Sequence, residues 1–203
     1  MAELLVASRN PKKLAELRRI LDAAQVTGVA LVGLDEVAPF EEAPETAATF
    51  EGNALAKARD GAAATGLACV ADDSGLEVDA LNGMPGVLSA RWCGRHGDDA
   101  ANTALLLAQL AQVPEERRGA AFVSASALVQ PGGEEVVVRG EWRGRIARAP
   151  SGTNGFGYDP VFIPEGEHRS AAELTPQQKD ANSHRARALE QLLPVLRRLA
   201  TPV

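Results

Sequence analysis

The chain has 203 residues, of which 45% are hydrophobic, 24% charged and 4% aromatic, with a formal net charge of −6 and a pI near 5.2. That length buries an aliphatic core without disulfide or metal staples, in one large domain or two small lobes. The acidic balance excludes a broad nonspecific nucleic-acid surface, but it allows a local cationic pocket for a small anion.

At the N-terminus Glu3 precedes an apolar run of only Leu4 to Ala7, which is not a signal peptide. No stretch approaches the length of a membrane span. A cytoplasmic protein without membrane or nucleic-acid partners is expected. The two cysteines, Cys69 and Cys93, lack CxxC or metal-finger spacing, and Cys69 in "LACVA" reads as a buried reduced thiol.

In chain order, "ELLVAS" reads as a buried strand. Residues 10–25 then read as a helix, with Leu14, Leu17, Ile20 and Leu21 at helical spacing, Asn10 as cap and Pro11 in the first turn. "GVALVGL" is a second strand, followed by an acidic, proline-bearing loop over 35–49. Residues 49–66 form a helix capped by Thr49 and stopped at Gly66. "LACVADDSGLEVDAL" opens as a central strand and continues as a short strand or a turn, Ser74-Gly75 supplying a bend. Turn signals fill "NGMPGVLSARW". An amphipathic helix over 98–113 is ended by Pro114, and 119–147 reads as two or three antiparallel strands with "PGG" between the first pair. "GTNGFGYDPVFI" is a loop, then a strand. Residues 175–200 are a terminal helical region, which Pro194 kinks or divides. The order implies an α/β fold: a mixed sheet flanked by helices, two lobes sharing it within one domain over 1–203.

Four clusters carry polar chemistry. "SRNPKK", Ser8 to Lys13, joins a strand to a helix, so its free N–H groups and Lys13 suit phosphate. A capped helix with solvated lysines explains the same letters. Asp72 and Asp73 follow an apolar run and point to opposite sides of an extended strand, so one faces a ligand and the other braces a turn or a second layer. Mg²⁺ suits one such carboxylate, a glutamate of the acidic loop (Glu41, Glu42, Glu45 or Glu51) and polyphosphate oxygens; a plain turn suits them too. Lys57 reads as a surface lysine. In "GTNGFGYDPVF", Phe156 and Tyr158 offer flat faces to a planar ring, while Asp159 anchors the loop or reads a donor edge. Lys179 and the "SHR" helix start, His184 and Arg185, favour an acceptor-rich partner. His96 and His168 lie in polar loops without a role. No nucleophile elbow is present, so metal-assisted attack by water fits better than a Ser–His–Asp mechanism.

In this order and spacing, "SRNPKK", "ETAATFEGNALAKA", "VADDSGLEVDALNGMPGVLSAR", "GTNGFGYDPVF" and "AELTPQQKDANSHRARAL" resemble the inosine-triphosphate pyrophosphatase family in its bacterial branch, over nearly the whole chain. The resemblance implies a Mg²⁺-dependent homodimer that cuts ITP, dITP and XTP to the monophosphate and pyrophosphate. It implies an elongated mixed sheet in two lobes, with substrate in a central cleft. By position, Ser8, Arg9, Asn10, Pro11, Lys12 and Lys13 match the triphosphate loop, and Asp73 the general base and magnesium ligand. Ser74 matches a substrate contact, and Phe156, Gly157, Tyr158 and Asp159 the loop around the base. Lys179, His184 and Arg185 match the remaining contacts. Glu45 is the expected second magnesium carboxylate, ahead of Glu42 and Glu41. Three positions at two sites depart from the family: Ser8-Arg9-Asn10 replaces Thr-Gly-Asn, and Ala47 replaces a glycine. A Maf-like pyrophosphatase acting on dTTP or UTP would share the chemistry, but "GFGYDP" with "SHR" disfavours it. A nucleotide-sensing module without hydrolysis is the non-enzyme alternative.

Overall fold

The structure is a computed structural model that describes residues 1–41 and 44–200, apart from the side chains of Pro11, Lys12 and Asp180. Six strands form one sheet: β1 (Ala2–Val6), β2 (Val29–Gly33), β3 (Ala68–Val78), β4 (Gly119–Val129), β5 (Glu135–Ile146) and β6 (Phe162–Pro164). Five α-helices accompany them: α1 (Pro11–Ala23), α2 (Phe50–Thr65), α3 (Asp99–Gln109), α4 (Pro176–Asp180) and α5 (His184–Ala200). The strand order is β2-β1-β3-β4-β5-β6. β1 runs parallel to β2 and to β3, and β5 runs antiparallel to β6, so the sheet is mixed as expected. By its contacts the chain divides into two compact units. The first is Met1–Asp73, Ser124–Gly140 and Arg185–Val203; the second is Ser74–Val123 and Glu141–His184.

In the first unit the chain leaves β1, makes α1, returns as β2, then passes through α2 to pair β3 on the other side of β1. Strand order therefore reverses at β1, the kind of switch point at which open parallel sheets bind ligands. Period-two alternation divides the faces. Leu4, Val6, Val70 and Leu128 pack with Leu17, Ile20 and Leu21 of α1 and with Leu189, Leu192 and Leu196 of α5. On the opposite face α2 buries Ala54, Ala58 and Ala62, whose small side chains let a helix lie close to a sheet. Thr49 caps α2 by accepting from the Gly52 N–H, and Gly66 ends it in the left-handed conformation, both as the sequence reads.

The second unit has its own core, in which Leu76, Val78, Leu106, Leu110, Trp142, Tyr158 and Phe162 meet. The Phe122 and Phe162 rings pack edge to face at 4.6 Å.

Three expectations are corrected. β3 does not end at the paired aspartates but runs on to Val78. Gly75 is there for close approach rather than for a bend: a Cβ on it would lie 2.4 Å from Ser89 Oγ, the hydroxyl that receives the Leu76 N–H. α3 stops at Gln109, well before Pro114, where the buried Arg118 guanidinium takes the Leu110 carbonyl. Two strands fill 119–147, within the two or three the sequence allows, joined by a turn that Gln130 N–H closes onto Glu134 O. The terminal region is two helices, and α5 continues through Pro194. No helix among the described residues is long and apolar enough to cross a membrane.

Candidate functional site

The first unit gathers charge where β1 and β3 lie side by side. The chain leaving β1 turns at Ser8, whose hydroxyl accepts from the Asn10 N–H at 3.2 Å, and enters α1. Pro11, the first residue of α1, has no N–H, and the Lys13 N–H donates to the Asn10 carbonyl at 3.0 Å, so the turn holds part of its own donor set. A cavity of about 540 Å³ opens there, lined in part by Ser8, Arg9, Leu14, Leu34, Asp35 and Phe40. The side chains of Pro11 and Lys12 lie outside the described residues, as does Glu42.

Asp72 and Asp73 point to opposite faces of β3, as adjacent strand residues must. On the face of α1 and α5, Asp72 Oδ2 lies 2.8 Å from Lys13 Nζ and 3.3 Å from Arg185 Nε. Arg185 is buried and also pairs with Glu16. This is a compact group of two cations and two anions. Burial pushes the Asp72 carboxyl up, but the charges of Lys13 and Arg185 outweigh it and hold the acid well below the usual range. Burial lowers the Lys13 ammonium despite Asp72. Burial also works against the charged form of Arg185, and Asp72 and Glu16 reverse it, so Arg185 is held firmly charged.

On the face of α2, Asp73 Oδ2 accepts 2.9 Å from the Asn53 amide, and Oδ1 lies 3.8 Å from Lys57 Nζ. Lys57 in turn donates to Glu45 Oε1 at 2.7 Å. Lys57 is therefore not the surface lysine that the sequence suggests: its side chain is 13% exposed and one ammonium joins both carboxylates. Burial raises the Asp73 carboxyl above its ordinary value, more than Lys57 and Asn53 lower it. Burial disfavours the Lys57 ammonium, yet Asp73 and Glu45 together raise it. Among the described residues no cluster of three or more His, Cys, Asp or Glu side chains forms a metal cage. A two-carboxylate set still suits Mg²⁺, which takes one or two protein carboxylates and completes its shell with water and phosphate. That Asp73 and Glu45 already share a cationic partner shows that their charges meet at one spot.

The second unit assembles the aromatic loop. Asp159 is almost fully buried; its Oδ2 accepts from the Phe156 N–H at 2.8 Å and from Lys179 Nζ at 2.6 Å. Of its two sequence roles, anchoring the loop is the one this geometry carries. Lys179 Nζ also stands 5.1 Å from the Phe156 ring centroid, a cation–π contact. Phe156 itself is 37% exposed, leaving ring surface for a planar ligand. Gly157 N–H donates to Asp99 Oδ2 at 2.7 Å. Tyr158 is buried, its hydroxyl donating to Ser89 O at 2.8 Å, so it supports the loop from below. His184 is buried and stacks on Phe122 at 5.0 Å. Ser74 is half-buried in β3.

Lys13, Asp72 and Arg185 thus come together, as do Asp73, Glu45 and Lys57, and as do Phe156, Asp159 and Lys179. Sequence reasoning missed Lys57, Asn53, Glu16 and Asp99. A signal existed for two of them: Asn53 and Lys57 are four residues apart, on one face of a helix whose neighbouring positions are alanine and glycine.

The Ham1 family profile matches residues 4–195. The dITP/XTP pyrophosphatase of Nocardia farcinica is 74% identical over 200 residues, covering 98% of this chain and 97% of that one. The dITP/XTP pyrophosphatase of Mycobacterium tuberculosis H37Rv is 71% identical over 201 residues, covering 99% and 98%. The crystal structure of a nucleoside-triphosphatase / dITP/XTP pyrophosphatase from Mycobacterium abscessus matches with a TM-score of 0.80 at 72% identity, over 96% of this chain and 99% of that one. A HAM1 protein from Coxiella burnetii matches with a TM-score of 0.86 at 42% identity, over 97% and 98%.

Proposed function

The chain belongs to the Ham1 family, and from that premise we propose that it hydrolyses ITP, dITP and XTP to the monophosphate and pyrophosphate, removing deaminated purines from the nucleotide pool. The relatives that match it over nearly their whole length carry the name of that activity. The observation that carries the reading is the convergence of Asp73, Lys57 and Glu45 on one spot, with the charge of Lys13, in the first turn of α1, near enough to act on the Asp73 carboxyl.

In this reading Ser8, Arg9, Asn10, Pro11, Lys12 and Lys13 receive the triphosphate. The Lys13 ammonium holds phosphate oxygens where negative charge grows in the transition state. Asp72 keeps Lys13 and Arg185 in place before substrate arrives. Asp73 and Glu45 are the residues that would hold Mg²⁺, which when bound lowers the pKa of water and neutralises phosphate charge. Asp73 orients the attacking water and accepts its proton. Attack at the α-phosphorus releases pyrophosphate.

The exposed Phe156 ring stacks the base, with Gly157, Tyr158 and Asp159 fixing the loop and Lys179 donating toward a purine 6-carbonyl. Ser74, His184 and Arg185 complete the substrate contacts. Inosine and xanthine offer an acceptor at position 6 where adenine offers a donor, and a buried mismatch there costs about 1–3 kcal/mol. The working protein is a homodimer in the cytoplasm. The test is pyrophosphate release with Mg²⁺ over ITP, XTP, dITP, GTP, ATP and dTTP. Equal kcat/KM for ITP, ATP and GTP would remove the base-reading claim, and a dTTP preference would point to Maf-like chemistry.

A further inference from the structure

We infer that Asn53 is a positioning residue for the metal pair: its buried amide ties the Asp73 carboxylate to the backbone of the acidic loop and so fixes the spacing between Asp73 and Glu45. The inference rests on the reading of those two residues as magnesium ligands.

Asn53 is 2% exposed, so water does not compete for its polar atoms. Its orientation is dictated by its partners. The Ala47 N–H can only donate, so the atom it meets at 2.9 Å is the amide oxygen, and the amide nitrogen then donates to Asp73 Oδ2 at 2.9 Å. One side chain therefore joins β3 to the loop two residues beyond Glu45. The loop is seated on the start of α2 by further contacts. Thr49 accepts the Gly52 N–H through its hydroxyl at 3.1 Å and the Asn53 N–H through its carbonyl at 3.2 Å. Gly52 is needed for this approach, since a Cβ there would lie 2.7 Å from the Ala47 Cβ. One turn further along the same helix face, Lys57 takes Glu45 itself.

The same hydrogen bond orients Asp73. With Oδ2 held by the amide, Oδ1 is the oxygen that lies toward Lys57 and Glu45. A leucine at position 53 keeps the volume but neither hydrogen bond, so the carboxylate is free to rotate and the loop to shift. Partners that orient metal ligands in this way typically control affinity by about 10–100-fold.

The experiment measures Mn²⁺ binding to the substrate-free protein, by the EPR signal of the free ion, at a temperature where every variant is folded. Asn53→Leu is expected to weaken binding at least ten-fold. A core variant, Leu17→Ala, lowers thermal stability but keeps the wild-type Kd. Equal Kd for wild type and Asn53→Leu, or an equal loss in Leu17→Ala, overturns the inference. Asp73→Asn separates the two claims. If it binds Mn²⁺ as wild type does, the reading of Asp73 as a ligand fails; if it does not while Asn53→Leu does, only the role of Asn53 fails. In the wild-type protein the Asn53 side-chain NH₂ resonances are expected to shift on Mg²⁺ titration with the Kd of the site. Resonances that stay in place at saturation overturn the inference even if Asn53→Leu does not fold.

Discussion

Arg118 is among the largest fully buried side chains, 1% exposed, and its hydrogen-bond partners are backbone carbonyls. Nη1 donates to Leu110 O at 2.6 Å, Nε to Ile146 O at 2.8 Å and Nη2 to Ala147 O at 2.8 Å. One planar fork therefore ties the end of α3 to the end of β5, within the second unit. Arg118→Met keeps most of the apolar stem and removes the fork. A hydrogen bond to a charged donor contributes about 1.5–3 kcal/mol, so three summed naively give about 5–9. The sum overshoots, because methionine also removes the cost of burying a charge and some carbonyls find water. A net loss of about 3 kcal/mol is expected, with Arg118→Lys losing roughly half, since an ammonium cannot reproduce the fork. Both tryptophans, Trp92 and Trp142, lie in the second unit, so fluorescence during urea unfolding reports on it directly. With an m-value of about 2 kcal/mol/M, Arg118→Met should lower the midpoint by about 1.5 M. A midpoint shift below about 0.3 M at unchanged m would refute the reasoning that the fork holds these two ends together.

Asp73→Asn should lower kcat for ITP at least about 100-fold, the low end for losing a positioned general base; near-normal turnover would remove Asp73 from its role. Lys13→Ala should reduce kcat/KM about 10–100-fold through one lost charge-assisted contact, and unchanged constants would deny phosphate contact. Burial pushes the Cys69 thiol up from 9.0 to about 12, whereas Cys93 is half-exposed. Alkylation at pH 8 should therefore modify Cys93 quickly and Cys69 only after unfolding, which peptide mapping reads. The same shift has a stability sign. The folded thiol keeps its proton longer than the unfolded one, so its contribution is full below pH 9 and is lost as pH rises toward 12. Cys69→Ala should flatten that alkaline decline in urea midpoints, and an identical decline would contradict it.

Local signals carried much of the fold. Thr49 before an alanine-rich run and Gly66 after it fixed both ends of α2, because caps act through backbone groups within one turn. Apolar spacing located α1, and β-rich runs located β1, β2 and the β4–β5 hairpin. The same local logic misread 67–81, where a Ser-Gly pair suggests a bend. Gly75 instead accommodates Ser89, fourteen residues away, and no neighbour in sequence announces that contact.

What the sequence by itself determined was which residue types stand in which order: the phosphate-suited turn, the paired aspartates, the aromatic loop and the "SHR" helix start. Alternation along a strand even settled that Asp72 and Asp73 serve different faces. Only the tertiary structure decided what each face holds, because partners such as Arg185 and Asp72 are 113 positions apart along the chain. It turned Lys57 from a surface cation into the partner of two carboxylates, and Asp159 into the anchor of its loop. The physical reason is that a charged side chain's role depends on its solvent and its counter-charges, and folding assigns both.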